Sequence, residues 1–363
     1  MAIADEKRVL VTGGAGYIGS HMVLKLLRAG RAVTVLDDLS TGHAAAITRL
    51  RRAHPSARLE FVEGSVLDSA MLTRVLREGA IDAVLHFAGR ALVGESIERP
   101  IDYWRVNAGG TTSLLAAMHE SGARYLVFSS TCATYGVPPP ASIPISEACA
   151  QSPCNPYGAS KLACERAILD AASARGSALR PAILRYFNVI GCDPDGLLGE
   201  DHSPETHVIP SCLMVAAGAR SEFILLGGDY ATPDGTCIRD YVNVSDLCEA
   251  HLMTLDALEA TAPTAPLAPL IFNVGTGVGH SVREVVEACE RVVGRSIPQR
   301  TSARRGGDPP MLVADASRIS RTLNWHARTP GLDASIAQLW RWMRANPAGY
   351  AERACANAGR QAR

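Results

Sequence analysis

The segment Val9-Leu-Val-Thr-Gly-Gly-Ala-Gly-Tyr-Ile-Gly19 constrains the fold more than any other stretch of the chain. A short β-branched run leads into Gly13, Gly16 and Gly19. An apolar pattern of helical period follows at Ile18, Met22, Leu26 and Ala29, with Gly30 placed to stop it. Strand, glycine turn and helix, in that order, suit a pyrophosphate. The first glycine permits the tight turn, the second lets backbone approach the phosphates, and the third lets the helix pack close. The helix N-terminus then offers unpaired N–H groups and a partial positive charge to a dianion.

Glycine spacing alone is weak, because turns use glycine for steric reasons, so the flanking pattern carries the argument. Asp37 ends a second apolar run, Ala32 to Leu36, 18 residues beyond Gly19. A carboxylate there accepts hydrogen bonds from an adenosine ribose and repels a 2′-phosphate, so NAD is expected rather than NADP. Further short runs at Leu59–Val62, Ile81–Leu85, Tyr125–Phe128 and Ala182–Leu184 alternate with helical patterns. The expected fold class is α/β, a doubly wound parallel sheet of Rossmann type. After about residue 188 the pattern loosens, then recovers a strand at Ile271–Val274 and a helix near Ser281–Val293. This predicts a dinucleotide-binding domain over 1–187, with return segments near 237–275, and a smaller interleaved C-terminal α/β domain over 188–363. Residues 260–269 read as a connecting loop, and the tail after Tyr350 as frayed.

Composition then removes partner classes. The 36 basic and 36 acidic residues cancel, leaving no long-range field for nucleic acid or anionic lipid. No apolar run reaches the roughly 18 residues that span a bilayer, and Met1–Arg8 is too polar for a secretory signal. A cytoplasmic location is the expectation. Ten cysteines include no Cys-x-x-Cys pair, so they read as small buried hydrophobes in a reducing compartment, with no metal expected.

A second constellation is Tyr157-Gly-Ala-Ser-Lys161 at the start of a helical pattern. Residues at i and i+4 share a helix face, so phenol and ammonium point the same way. A phenol with a reference pKa near 10 must drop about 3 units to act as a base near neutrality, roughly 4 kcal/mol of preferential phenolate stabilisation. A desolvated lysine and the positive charge of an oxidised nicotinamide can supply it. Upstream, Ser130 and Thr131 end a strand, where their hydroxyls can hydrogen-bond a reacting oxygen.

The glycine spacing and the Tyr-x-x-x-Lys pair resemble the extended short-chain dehydrogenase/reductases. Nearly the whole chain resembles the UDP-glucose (UDP-galactose) 4-epimerases. The matching segments include Val11–His21, His86–Gly89, Val93–Ser96, Leu184–Asn188, Gly199–Asp201, Asp234–Thr236, Arg239–Tyr241, Asn273–Gly277 and Arg304–Asp308. The resemblance implies that Tyr17, Ile18, Asp37, Asp38, Leu39, Ser40, Ser65, Val66, Phe87, Ala88, Asn107 and Phe187 join the glycines, Tyr157 and Lys161 around NAD. It places UDP-glucose or UDP-galactose against Thr131, Tyr157, Asn188, His207, Val208, Leu226, Arg239, Arg305, Asp308 and Leu312. Two arginines suit a pyrophosphate and Asp308 a ribose, although Arg239 and Arg305 also have Asp240 and Asp308 nearby as ion-pair partners.

Three positions depart from the family pattern. Ser65 stands where Asp is frequent, Ala91 where Lys is frequent, and Thr131 where Ser is common. Arg90 can replace the charge lost at Ala91 or be an ordinary loop arginine; Thr131 keeps the hydroxyl. The implied reaction takes the 4-hydroxyl proton on Tyr157 and the C4 hydride on NAD, rotates the 4-keto sugar, and returns the hydride to its other face. Leu312, at a wall position, implies UDP-hexoses first and UDP-N-acetylhexosamines weakly; other UDP-sugars, including UDP-pentoses, remain an alternative. A 4,6-dehydratase would carry Asp-Glu after its hydroxyl residue, whereas Cys132 and Ala133 follow Thr131. A non-catalytic NAD sensor could dispense with Tyr157 and Lys161. A homodimer is a family expectation.

Overall fold

A computed structural model of the chain describes residues 8–261, 268–329 and 331–350. Its strands, in chain order, are β1 (Arg8–Thr12), β2 (Ala32–Asp37), β3 (Leu59–Glu63), β4 (Ala83–His86), β5 (Tyr125–Thr131), β6 (Arg180–Tyr186), β7 (Asn188–Ile190), β8 (Phe223–Leu226), β9 (Ile238–Asn243), β10 (Leu270–Val274), β11 (Gly279–Ser281), β12 (Gln299–Ser302) and β13 (Met311–Leu312). Seven of them form one parallel sheet in the order β10-β6-β5-β4-β1-β2-β3. The chain steps outward from β1 to β3 and then crosses to β4, so a crevice opens at the carboxyl ends of β1 and β4.

Successive strand residues point to opposite faces, and the core divides accordingly. Val9 and Val11 join Met22, Leu26, Val33 and Val35 in one cluster, while Leu10 joins Leu36, Val84, Leu114, Leu126 and Ile168 in another. Strands covered on both sides need continuous apolar runs, which is why β1, β2, β4 and β5 were visible in the sequence. Truncating a fully buried leucine such as Leu10 costs about 2–5 kcal/mol through lost burial and the cavity left behind. The first helix spans Tyr17–Arg28 and stops as expected, with Gly30 at φ +75°.

β10, the strand expected near 271–274, closes the edge of the main sheet beside β6. The helix Val244–Ala260 packs on β5 and β6. β6 runs through Phe187 directly into β7, where a second layer begins. In that layer β9 pairs in parallel with β7 and β13 and antiparallel with β11, and β8 pairs in parallel with β12. These strands are two to six residues long, and β9 (IRDYVN) and β12 (QRTS) carry charges. They offer no period long enough to read. Seven of the nine cysteines among the described residues are buried. The loop expected at 260–269 falls largely outside the described residues, as does the tail after Tyr350. No helix among the described residues is long and apolar enough to cross a membrane.

Candidate active site

The glycine loop leaves β1 at the crevice. Gly13 has φ +72°, and a Cβ there would sit 2.5 Å from the Ala88 backbone nitrogen; a Cβ on Gly19 would sit 2.1 Å from the Gly13 carbonyl oxygen. Both glycines are therefore needed for packing of the chain on itself. Gly16 differs: its Cβ would meet only the Gly13 oxygen, at 3.3 Å. The lack of a side chain at Gly16 and of a capping side chain on the Tyr17–Arg28 helix leaves the helix N-terminus available as an anion cradle. The residues present thus fit a dinucleotide.

Asp37 accepts hydrogen bonds from the backbone N–H of Ala15 and of Leu39, both at 2.9 Å, which ties the tip of β2 to the glycine loop. Burial pushes its carboxyl above the usual range and those two donors oppose the shift. Leu39 has φ +54°, and Asp38 accepts from the Ser40 N–H at 3.0 Å. The Ser65 hydroxyl accepts from the Leu67 N–H at 3.3 Å. Val66 packs against Gly110, where a Cβ would lie 2.7 Å from its methyl carbon. Phe87, after β4, stacks obliquely with His251 at 4.8 Å between ring centres. Asn107 lies in a π-helical stretch, Trp104–Gly109, and is bonded on three sides: it accepts from the Arg90 N–H at 2.8 Å and donates to the Arg90 carbonyl and the Ser160 hydroxyl. Arg90 itself pairs with Glu95 at 3.0 Å. Its guanidinium is therefore engaged rather than waiting for a phosphate.

Tyr157 sits in the first turn of the helix Pro156–Ser173. Asn155 caps that helix, accepting from the Gly158 N–H at 2.9 Å, and Pro156 fixes φ at the first position. A Cβ on Gly158 would lie 2.5 Å from the Ala133 oxygen, so the helix start is pressed on the turn that follows β5. One turn later Lys161 is buried, donates to the Ser129 carbonyl at 2.9 Å and lies 4.8 Å from the Phe128 ring centre. Burial lowers the Lys161 pKa, opposed by Cys164 and Glu165. Burial pushes the Tyr157 phenol up to about 12, opposed by a hydrogen bond with Thr131. The chain alone thus holds a neutral phenol.

Ser130 and Thr131 were expected to act together, and the structure separates them. The Ser130 hydroxyl donates to Glu165, which Arg185 grips through Nη2 at 2.7 Å and Nε at 3.0 Å. Strand alternation explains the divergence, since neighbours on β5 face opposite sides. Thr131 alone stays with the phenol.

The second layer carries the remaining candidates. Arg239, at the start of β9, is buried, donates to the Pro309 carbonyl at 2.7 Å and forms an ion pair with Asp308. Arg305 is half-buried and has no hydrogen-bond or ion-pair partner among the described residues. Asp240, the other acid beside Arg239 in sequence, instead accepts from Thr276, Gly277 and Ala314. Leu312 and Phe187 share a small apolar cluster with Cys132 and Tyr135. Asn188 opens β7, Leu226 ends β8, and Val208 starts the helix Val208–Ala216. His207 stands at the N-cap position of that helix without a side-chain capping bond, and its Nδ1 lies within 3.1 Å of two carboxylates, Glu200 and Glu205.

Asn155 carries no sequence signal for its place in the site. Besides capping the Tyr157 helix, its amide donates to the Gly307 carbonyl at 3.3 Å, across 152 positions. The segment carrying Arg305 and Asp308 is thereby latched to the residue two before the phenol. Glu165 and Arg185, a buried pair beneath the strand end, carry no such signal either, although Glu165 falls on the same helix face as Lys161.

Comparisons with known proteins agree with this geometry. The profile of the NAD dependent epimerase/dehydratase family matches residues 9–275. The UDP-glucose 4-epimerase of Halalkalibacterium halodurans is 44% identical over 342 residues, covering 94% of this chain and 97% of that protein. The crystal structure of UDP-glucose 4-epimerase from Brucella ovis in complex with NAD is 45% identical with a TM-score of 0.84, covering 92% and 98% of the two chains. That of the Bifidobacterium longum UDP-glucose 4-epimerase with NAD+ and UDP is 36% identical with a TM-score of 0.88, covering 94% and 100%. The glycine cradle and the tyrosine–lysine helix, set at the carboxyl edge of this sheet, place the chain in the NAD dependent epimerase/dehydratase family, in the group that contains the UDP-glucose 4-epimerases.

Proposed function

We propose that the chain catalyses the reversible C4 epimerisation of UDP-glucose and UDP-galactose through a 4-keto intermediate, with NAD held throughout. The single observation that carries this reading is Asn155, which joins the helix of Tyr157 to the segment of Arg305 and Asp308. A proton-transfer group and a nucleotide-gripping segment are thus fixed to one another beside a dinucleotide cradle.

NAD, when bound, supplies a reversible hydride acceptor beside C4. The chain's own residues do the rest. The glycine loop and Asp37 hold the dinucleotide, with Tyr17, Ile18, Asp38, Leu39, Ser65, Val66, Phe87, Ala88, Asn107 and Phe187 around it. Tyr157 takes the proton of the 4-hydroxyl and returns it. Thr131 orients that hydroxyl, and the buried Lys161 ammonium stabilises the phenolate. Arg305, with Arg239, grips the diphosphate, and Asp308 accepts from the ribose, while His207, Val208 and Leu226 line the nucleotide. Binding of the nucleotide diphosphate competes with the Arg239–Asp308 pair. Only Asn188 and Leu312 are assigned to the hexose, which must turn over between the two half-reactions. A 4,6-dehydratase is disfavoured because Cys132 is buried and carries no acid, with its thiol pushed up to about 12 by burial.

Residues 1–187, with the return near 237–275, would form the cofactor-binding part and the remainder the nucleotide-sugar part of a cytoplasmic enzyme. Ile97, Ile101 and Trp104 are 47%, 75% and 41% exposed on adjacent helical turns, an apolar face suited to a homodimer. The test is incubation of the purified protein with UDP-galactose and no added nicotinamide, followed by product separation. UDP-glucose is expected, and Tyr157→Phe should abolish it. A dehydrated 4-keto-6-deoxy product, or no product, would overturn the proposal.

A further inference from the structure

The loop between β7 and the helix Val208–Ala216 carries a compact set of side chains, Glu200-x-His202-x-x-Glu205-x-His207. One donor atom from each lies within 4.8 Å of all the others. His207 Nδ1 is 3.1 Å from Glu200 Oε1 and 3.0 Å from Glu205 Oε1; His202 Nδ1 is 3.5 Å from Glu200 Oε1 and 3.3 Å from Glu205 Oε2. Four ligands at about 2.0–2.1 Å from a tetrahedral ion are separated by about 3.3–3.4 Å. The four imidazole–carboxylate separations fall on either side of that value, and the other two lie within 4.8 Å.

The carboxylates point to a cation independently of the distances. The Glu200 side chain is 1% exposed, and its Oε2 is buried with no hydrogen-bond partner. A carboxylate oxygen withdrawn from water without a donor is costly. Among the described residues no lysine or arginine side chain pairs with Glu200 or Glu205. One divalent ion would balance both carboxylates. Two neutral imidazoles and two carboxylates form a nitrogen and oxygen donor set that suits zinc and neighbouring transition ions better than magnesium or calcium.

We propose that Glu200, His202, Glu205 and His207 bind one divalent transition-metal ion of the zinc class in a closed, four-ligand structural site. The site pins the loop that delivers His207 to its helix. It also lies against the glycine loop: the His202 ring is 5.9 Å from that of Tyr17, whose hydroxyl donates to the Gly191 carbonyl at 2.6 Å. The ion so ties the second layer to the dinucleotide cradle. This inference stands whether or not the chain is an epimerase.

The test titrates the chelator-dialysed full-length protein with Zn2+ against a chromophoric chelator, and in parallel records its Co2+ spectrum. One equivalent per chain is expected, weakened at least about 100-fold in His202→Ala and in Glu205→Gln. The Co2+ form should show weak visible bands without sulfur-to-cobalt charge transfer, which excludes the cysteines. The spectrum is read on the unaltered protein, so it decides the matter even where a variant fails to fold. Absence of a stoichiometric site, a thiolate-type spectrum, or equal affinity in folded variants would overturn the proposal.

Discussion

Replacing Lys161 by methionine isolates the charge that Tyr157 needs. The phenol stands at about 12 in the chain without cofactor, so at pH 7 about one molecule in 10⁵ carries phenolate, a deficit of roughly 7 kcal/mol. A unit charge at roughly 6 Å, the spacing of i and i+4 neighbours, contributes about 2.8 kcal/mol at an effective dielectric of about 20, or about 2 pKa units. That charge is already present in the chain without cofactor, so the fall from about 12 belongs to the cofactor's positive charge, and losing Lys161 adds to the deficit. Lys161→Met keeps the length of the stem beside Phe128 but loses the ammonium and its bond to the Ser129 carbonyl. The acidic limb of the kcat profile with UDP-galactose should then move up by about 2 units, with turnover at pH 7 down about 100-fold and recovering in alkali. Bound NAD and the far-ultraviolet circular dichroism should be retained. A profile lowered by one factor at every pH, with its limb unmoved, would refute the electrostatic role.

Other consequences follow from packing and burial. In Gly19→Ala the new methyl would lie 2.1 Å from the Gly13 oxygen, so the loop must shift; the variant should purify without NAD and lose about 1–3 kcal/mol in denaturant unfolding. Arg185→Met leaves the buried Glu165 charge unpaired, and a loss of about 3–5 kcal/mol is expected in the same assay. Burial drives His86 down to about 3 and His251 to about 4. The unfolded chain, with histidines near 6.5, therefore binds the extra protons as pH falls. Their contribution is intact above about pH 6.5 and is lost toward pH 4 at up to about 1.4 kcal/mol per pH unit for each residue. Denaturant melts across that range should show a shallower decline in His86→Gln than in the unaltered protein.

The main sheet was legible because its strands are buried on both faces and must be written in runs such as Val9–Val11 and Ala32–Leu36. The glycine loop was legible because Gly13 needs its positive φ and Gly19 answers to the nearby Gly13 carbonyl. The second layer was not, because β7, β11 and β13 are two or three residues long and draw their order from β9. Long-range partners were hidden as well. Nothing near Asn155 announces Gly307, and nothing near Arg239 shows that Asp308 rather than Asp240 neutralises it. Ser130 and Thr131 are neighbours in sequence, but strand alternation sends their hydroxyls to opposite faces. The Glu-x-His-x-x-Glu-x-His spacing stood in plain view, and only the folded loop shows that its four side chains converge.

Epimerisation through a 4-keto sugar requires the hydrogen of C4 to leave and return within one closed site. UDP-galactose carrying deuterium at C4, incubated with the protein in ordinary water, tests this most directly by mass spectrometry and NMR of the product. UDP-glucose that keeps the deuterium at C4 is predicted, with no dependence on added nicotinamide. Product with hydrogen from solvent at C4 would contradict the account.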